Sequence, residues 1–408
     1  MSSNTPALRL LIRPLIVATS LLAVMVLMEI TIRVTAWLNI PLAPPGHHKL
    51  FCEYDSILGW KHKPLASTRN IGSEYAVDIR FNSKGIRGDE YPYDKGDHEY
   101  RLLILGDSFA EGYNVAFEHL FSEVLKSNLT EHLKKTGTTC QVINTGTGGW
   151  GTDQEYLFYM NEGFKYDPDA VILMFYENDV WYNTQNKYWR GYKPKYRLES
   201  GQLTLTNVPV PQIGLSRGLS DTDLLEWLSF NSYLYSFLRN KAKNISFVRN
   251  WVLGLEFPRE YGVWGRTYDT EIKLAWDTTE RLIVDLKKQA IENGSRFIVF
   301  NIPNIACVYK DKWDSTKKLY ALDEAEWDID QPSKEIRRIC LKNMIDLIDP
   351  TSQMIEQARL ATSPGEKLYF SIDEHWTVRG HNLVAEIMGR YLMEKHLQAL
   401  RQSQTVSD

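Results

Sequence analysis

Lysine and arginine never gather into a stripe in this chain. The 47 basic residues are dispersed among 51 acidic ones, for a formal net charge of −4, so the electrostatic footprint of a nucleic-acid-binding protein is missing. Cysteine is scarce: the chain has Cys52, Cys140, Cys307 and Cys340, and none has the neighbours of a nucleophile. Each stands beside apolar residues, so buried free thiols and a disulfide set, with three possible pairings, both stay open. The histidines show no zinc spacing; His47, His48, His62 and His98 are scattered in polar surroundings. No glycine loop closes on Lys-Ser/Thr, which excludes the usual phosphate cradle. No repeat is visible, and no motif calls for a cofactor or a metal.

Long apolar runs are few, and the first decides the compartment. Residues 15–38 are almost wholly apolar, with Arg9 and Arg13 before them. About 20 such residues cross a bilayer, and arginine on the N-terminal side keeps residues 1–14 cytoplasmic. Glu29 and Arg33 interrupt the run one helical turn apart, where they can pair. Each would cost roughly 2.5–3.5 kcal/mol at mid-bilayer, which places them at the outer interface or against a partner. We read residues 15–38 as an uncleaved signal anchor. The competing readings are a cleaved signal peptide ending at Val34-Thr35-Ala36 and a core helix. All but the last put the remainder on the extracytoplasmic, periplasmic side of the cell membrane.

The rest of the chain parses by periodicity. Prolines and Gly46 mark a linker over 39–49. Residues 50–99 predict a small β-rich segment, with Tyr75 to Phe81 alternating and a turn at 82–85. Residues 100–398 predict alternating strands and helices, which implies a parallel sheet. The strands fall at 101–106, 140–145, 170–176, 296–302 and 345–349, and the helices at 117–135, 152–163, 271–293, 332–344, 351–361 and 377–396. An insertion at 180–266 carries a hairpin around Glu199-Ser200-Gly201 and an apolar-rich helix from Asp221 or Thr222 to about 242. It is also rich in aromatics, from Trp181 and Trp189 to Tyr261 and Trp264, which suit stacking on sugar rings or a small core of their own. The tail, 399–408, reads as disordered.

Chemistry-bearing residues cluster at the carboxyl ends of the predicted strands, where open α/β sheets bind ligands. The run Leu102 to Leu105 ends in Gly106-Asp107-Ser108-Phe109; Asn144 leads into Thr145-Gly146-Thr147-Gly148-Gly149; Phe175 leads into Tyr176-Glu177-Asn178-Asp179; and Asp373-Glu374-His375-Trp376 precedes the last helix. Serine needs an adjacent base, here His375, and that base needs a carboxylate, here Asp373. With one residue between them, Asp373 and His375 meet only if the backbone turns. The N–H groups of Ser108 and Gly149 and the side-chain amide of Asn178 are candidate oxyanion donors, typically worth about 3–4 kcal/mol each. His381 is a rival base whose position suits packing or capping.

These four blocks, in this order, resemble the SGNH, or GDSL, hydrolase superfamily. The resemblance implies a three-layer flavodoxin-like fold, strand order 2-1-3-4-5, and serine-dependent cleavage or transfer of an ester-linked acyl group. Two positions depart from it: one residue rather than two separates Asp373 from His375, and Tyr176 stands where glycine is frequent. Asp373-x-His375-Trp376 is locally similar to a motif of alginate-type O-acetylation proteins. We therefore expect a membrane-anchored serine esterase or O-acyltransferase acting on an acylated envelope or secreted glycan, with other envelope polysaccharide proteins as partners. The alternatives are a lipid esterase and a non-catalytic glycan-binding or assembly subunit.

Overall fold

The structure, a computed structural model, describes residues 5–37, 51–72, 74–188, 191–212, 228, 231–243 and 257–397. The chain divides into two units. One comprises Met1–Leu50, Ile71–Ser73 and Gly214–Glu256; the other comprises Phe51–Asn70, Glu74–Ile213 and Phe257–Asp408.

The larger unit is built on a five-stranded sheet: β1 (Glu99–Gly106), β2 (Thr139–Asn144), β3 (Ala170–Phe175), β4 (Arg296–Asn301) and β5 (Asp346–Ile348). Its order is β2-β1-β3-β4-β5, as the resemblance implies, and every pairing is parallel. The continuous aliphatic runs have a direct cause, because side chains of alternate residues are buried on both faces. Leu102, Ile104, Ile172 and Met174 enter one core cluster, while Leu103, Leu105, Val171 and Leu173 enter the other. Helices Phe121–Leu133 and Val378–Lys395 supply the first layer. Helices Thr152–Asn161, Thr270–Glu292 and Gln331–Lys342 supply the second. This is an α/β fold of three layers.

Several expectations shift. The first helix after the serine starts at Ser108 itself, as a single turn Ser108–Glu111. Phe117–His119 is a 3-10 turn, and the long helix begins at Phe121. The stretch 304–330, between β4 and helix Gln331–Lys342, holds helices Ile305–Val308 and Lys310–Tyr320. The hairpin at Lys195–Glu199 and Gln202–Thr206 forms as expected. The insertion's aromatics pack among themselves, with Tyr261 on Trp264 at 4.1 Å and Tyr182 on Tyr188 at 3.7 Å. All four cysteines are free, and Cys52, Cys140 and Cys340 are buried. Trp189, the linker 39–49, Asp221, Thr222 and the tail lie outside the described residues.

In the smaller unit, Thr5–Trp37 is one helix. Its stretch Arg13–Thr35 is long and apolar enough to cross a bilayer, and side chains such as Leu15, Leu21 and Leu27 are exposed along it.

Candidate active site

The Gly106-Asp107-Ser108 turn is as tight as the sequence allows. A Cβ at Gly106 would meet the Ala110 and Met174 side chains at 2.7 and 2.8 Å, so only glycine lets the chain leave β1 here. Asp107 then caps the turn, its carboxylate accepting the Phe109 N–H at 2.9 Å. Ser108 is thereby held at the rim of the sheet, just beyond β1, and its Oγ lies 2.8 Å from His375 Nε2.

His375 comes from a loop closed by a Tyr369–Trp376 bridge. Thr377 ends that loop by capping helix Val378–Lys395, its Oγ1 accepting the Gly380 N–H at 3.3 Å. The backbone turn demanded by the short Asp373–His375 spacing is present: Glu374 adopts φ 65°, in the left-handed region, which non-glycine residues occupy at a cost of about 1–2 kcal/mol. That conformation brings Asp373 Oδ1 to 3.1 Å from His375 Nδ1, and the Asp373 carbonyl to 3.0 Å from the same nitrogen. The ring also rests on Phe109, 4.5 Å between centroids.

Asp373 is itself heavily held. Its Oδ2 accepts from the Tyr113 hydroxyl at 3.0 Å and the Tyr75 hydroxyl at 3.3 Å, and its Oδ1 from the Asn114 amide at 3.2 Å. The Glu74 carboxylate accepts the backbone N–H groups of Ser371, Ile372 and Asp373 at 2.8–2.9 Å, pinning the loop. Burial pushes the Asp373 carboxyl up, but His375, Tyr113 and Asn114 outweigh it and hold the carboxyl below its usual range. Burial pushes His375 down; the Asp373 hydrogen bond and charge, with Asp107 behind them, leave its pKa above 6.5.

The candidate oxyanion donors sit beyond three adjacent strands. Thr147 N–H donates to the Gly106 carbonyl at 3.0 Å, so the loop that ends at Gly149 runs beside the serine turn. Gly149 has φ 78°, open to glycine. Glu111 accepts the Gly148 N–H at 2.6 Å, and the Trp60 indole donates to the Gly148 carbonyl at 3.1 Å. Asn178 opens the short helix after β3, and its Oδ1 is buried with no hydrogen-bond partner among the described residues.

Other histidines fall into place. His381 is buried and accepts the Phe121 N–H at 3.3 Å; burial pushes its pKa down to about 3, which suits packing and not a base. His62 is a correction. Expected in polar surroundings, it is buried, with Nε2 3.4 Å from the Glu111 carboxylate and Nδ1 3.2 Å from the Gly85 carbonyl. Asp107 caps the serine turn through the Phe109 N–H, and Asp179 accepts the Thr152 hydroxyl at 3.0 Å.

Glu74, Tyr75, Trp60, His62, Arg87 and Glu111 had no sequence signal. Five of them come from segment 51–99, which buttresses both the glycine loop and the Asp373 loop. Glu74→Ala is expected to lower kcat about 10²-fold with KM little changed, the scale of a small misplacement of catalytic groups. Glu74→Gln keeps one acceptor oxygen and recovers part of the loss; steady-state kinetics of both variants is the check.

No family model matches the chain, and no curated protein does. Solved structures do. An acetyl xylan esterase, AlAXEase, aligns over 72% of this chain and 99% of its own, at 16% identity and TM-score 0.39. A lipase/acylhydrolase from Enterococcus faecalis aligns over 72% and 95%, at 12% identity and TM-score 0.35. A two-domain esterase active on acetylated mannans, co-crystallized with mannopentaose, aligns over 72% and 49%, at 10% identity and TM-score 0.37. Similarity at this level leaves the chemistry to the site itself.

Proposed function

We propose that the chain is a membrane-anchored, extracytoplasmic serine esterase or O-acyltransferase acting on O-acyl, chiefly acetyl, groups of an envelope or secreted polysaccharide. The observation that carries it is the line of contacts from Ser108 Oγ to His375 Nε2 and from His375 Nδ1 to Asp373.

In this mechanism Ser108 Oγ attacks the ester carbonyl as its proton passes to His375 Nε2. The N–H groups of Ser108 and Gly149 and the Asn178 amide receive the negative charge of the tetrahedral intermediate. Collapse breaks the bond to the alcohol, which leaves with the proton from His375. Water, or a sugar hydroxyl, then attacks the acyl-serine by the same steps in reverse. Asp373 keeps Nδ1–H oriented and stabilises the imidazolium.

A hydroxylated substrate suits the rim beside Asn178. Largely buried Glu177 accepts from Asn304 at 2.7 Å and from the Trp264 indole at 2.9 Å, and Asn304 also reaches the Tyr176 hydroxyl at 3.2 Å. Tyr176, in the place of a glycine, is thus tied into a polar and aromatic wall. The exposed apolar helix supports the anchor.

The test is acetate release from acetylated xylan or mannan oligosaccharides by the full chain in nanodiscs, with and without a deacetylated oligosaccharide. Release that depends on Ser108 supports hydrolysis, and acetyl transfer to the added oligosaccharide supports transfer. No acyl-serine and no release on any acetylated glycan would overturn the proposal. The pH profile is a second check: kcat/KM is expected to rise with pH through a midpoint above 6.5, since His375 must be neutral to accept the proton. A flat profile from pH ~5 to ~8 would remove His375 as the base.

A further inference from the structure

A carboxylate in an apolar helix needs a reason, and Glu29 has one. Its Oε2 accepts the Ser232 hydroxyl at 2.9 Å and the Leu234 N–H at 2.8 Å; its Oε1 accepts the Tyr233 N–H at 3.0 Å and the Arg33 Nε–H at 2.8 Å. Tyr233 and Leu234 are the first residues of helix Tyr233–Lys243, so Glu29 caps that helix from another part of the chain, where free N–H groups and the helix dipole favour an anion. Arg33 completes the joint. It donates to the Asn231 carbonyl at 2.7 Å, and its guanidinium lies 5.0 Å from the Tyr233 ring centre.

The joint's height along the helix is fixed by arithmetic. Arg13 begins the candidate span, and at 1.5 Å per residue Glu29 lies ~24 Å further along and Arg33 ~30 Å. A hydrocarbon core is about 30 Å thick. With Arg13 at one interface, Glu29 is just inside the opposite one and Arg33 is at it. The helix that Glu29 caps therefore starts at the edge of the hydrocarbon. It presents Leu238 with 51% exposure, while Leu234 is buried, and it carries Tyr233 and Tyr235, a residue type that belongs at this level.

We propose that helix Tyr233–Lys243 is an interfacial membrane element, docked on the anchor by Glu29 and Arg33, with Leu238 seated among the acyl chains of the outer leaflet. This rests on the anchor reading above. It makes the insertion a second point of membrane attachment, and its partner is a phospholipid bilayer.

The test uses the full chain in phosphatidylcholine nanodiscs, with single nitroxide labels at Leu238→Cys, Met25→Cys and Leu341→Cys. Power saturation reads oxygen against nickel-chelate accessibility, with the unsubstituted chain carried through the labelling as background. Leu341 is exposed on the larger unit and Met25 on the apolar helix. Leu238 is expected to give a ratio several-fold above that at Leu341 and below that at the deeper Met25, and to fall toward Leu341 when Glu29→Ala is added. Leu238 matching Leu341 while Met25 is lipid-facing would overturn the inference and leave the anchor intact. Met25 matching Leu341 would overturn the anchor itself. A ratio at Leu238 unmoved by Glu29→Ala would overturn Glu29 as the joint.

Discussion

Ser108→Ala is expected to lower kcat on 4-nitrophenyl acetate by about 10⁴–10⁶, with the variant as stable as the parent. The magnitude follows from the loss of the covalent route: without Oγ there is no acyl-enzyme, and what survives is the modest acceleration from binding and oxyanion donors. Stability should hold because the turn does not depend on the hydroxyl. Gly106 shapes it, Asp107 caps it through the Phe109 N–H, and the Gly112 N–H bonds the Ser108 carbonyl at 3.0 Å, which alanine also supplies. The measurement pairs a burst-phase assay with a thermal melt. A variant that melts with the parent and hydrolyses at the parent rate would remove Ser108 as the nucleophile and return the fold to a binding role.

The sheet was legible because its signal is local. A strand buried on both faces must be apolar at every position, and β1 and β3 are so from Leu102 to Leu105 and from Ala170 to Phe175. Strand ends then point to function, since the residues beyond them cannot be buried in the sheet. Ser108, Gly149 and Asn178 became candidates by that route, and His375 by its place just before the last helix. What local pattern does not carry is the support. Glu74 lies 297 residues before the first N–H it holds, and His62 is 49 residues before Glu111. No periodicity marks a residue whose partner is that far along the chain.

The same limit applied to the two departures from the family pattern. The short Asp373–His375 spacing departs from the pattern, because in an extended backbone residues two apart share a face but stand roughly 6.6 Å apart, too far for a direct contact unless the chain turns. Glu374 leaves that region, and the two side chains meet. Tyr176 stands where glycine is frequent in the family; its hydroxyl is bonded by Asn304, and its ring packs on Phe109 at 4.8 Å. Glu29 and Arg33 were recognised as a pair and a helix reaching about 242 was expected, but no local pattern joined the two across a separation of 203 residues or more.

Asp373→Asn is expected to cost about 10³ in kcat on the same ester, less than the ~10⁴ that follows when an amide locks its histidine in the wrong tautomer. The difference has a structural cause. The Asp373 carbonyl, 3.0 Å from His375 Nδ1, survives the substitution and can still accept the Nδ1–H. Orientation is then partly kept, and what is lost is the negative charge that raises His375 basicity and stabilises the imidazolium. The acidic limb of kcat/KM should accordingly move to lower pH in the variant, because burial pushes His375 down once the carboxylate no longer opposes it. Steady-state rates across the limb decide between two sources of that basicity. A limb that stays where it is in the parent would assign the raised pKa to Asp107, the next carboxylate acting on the ring, and would reduce Asp373 to a loop residue held by Glu74.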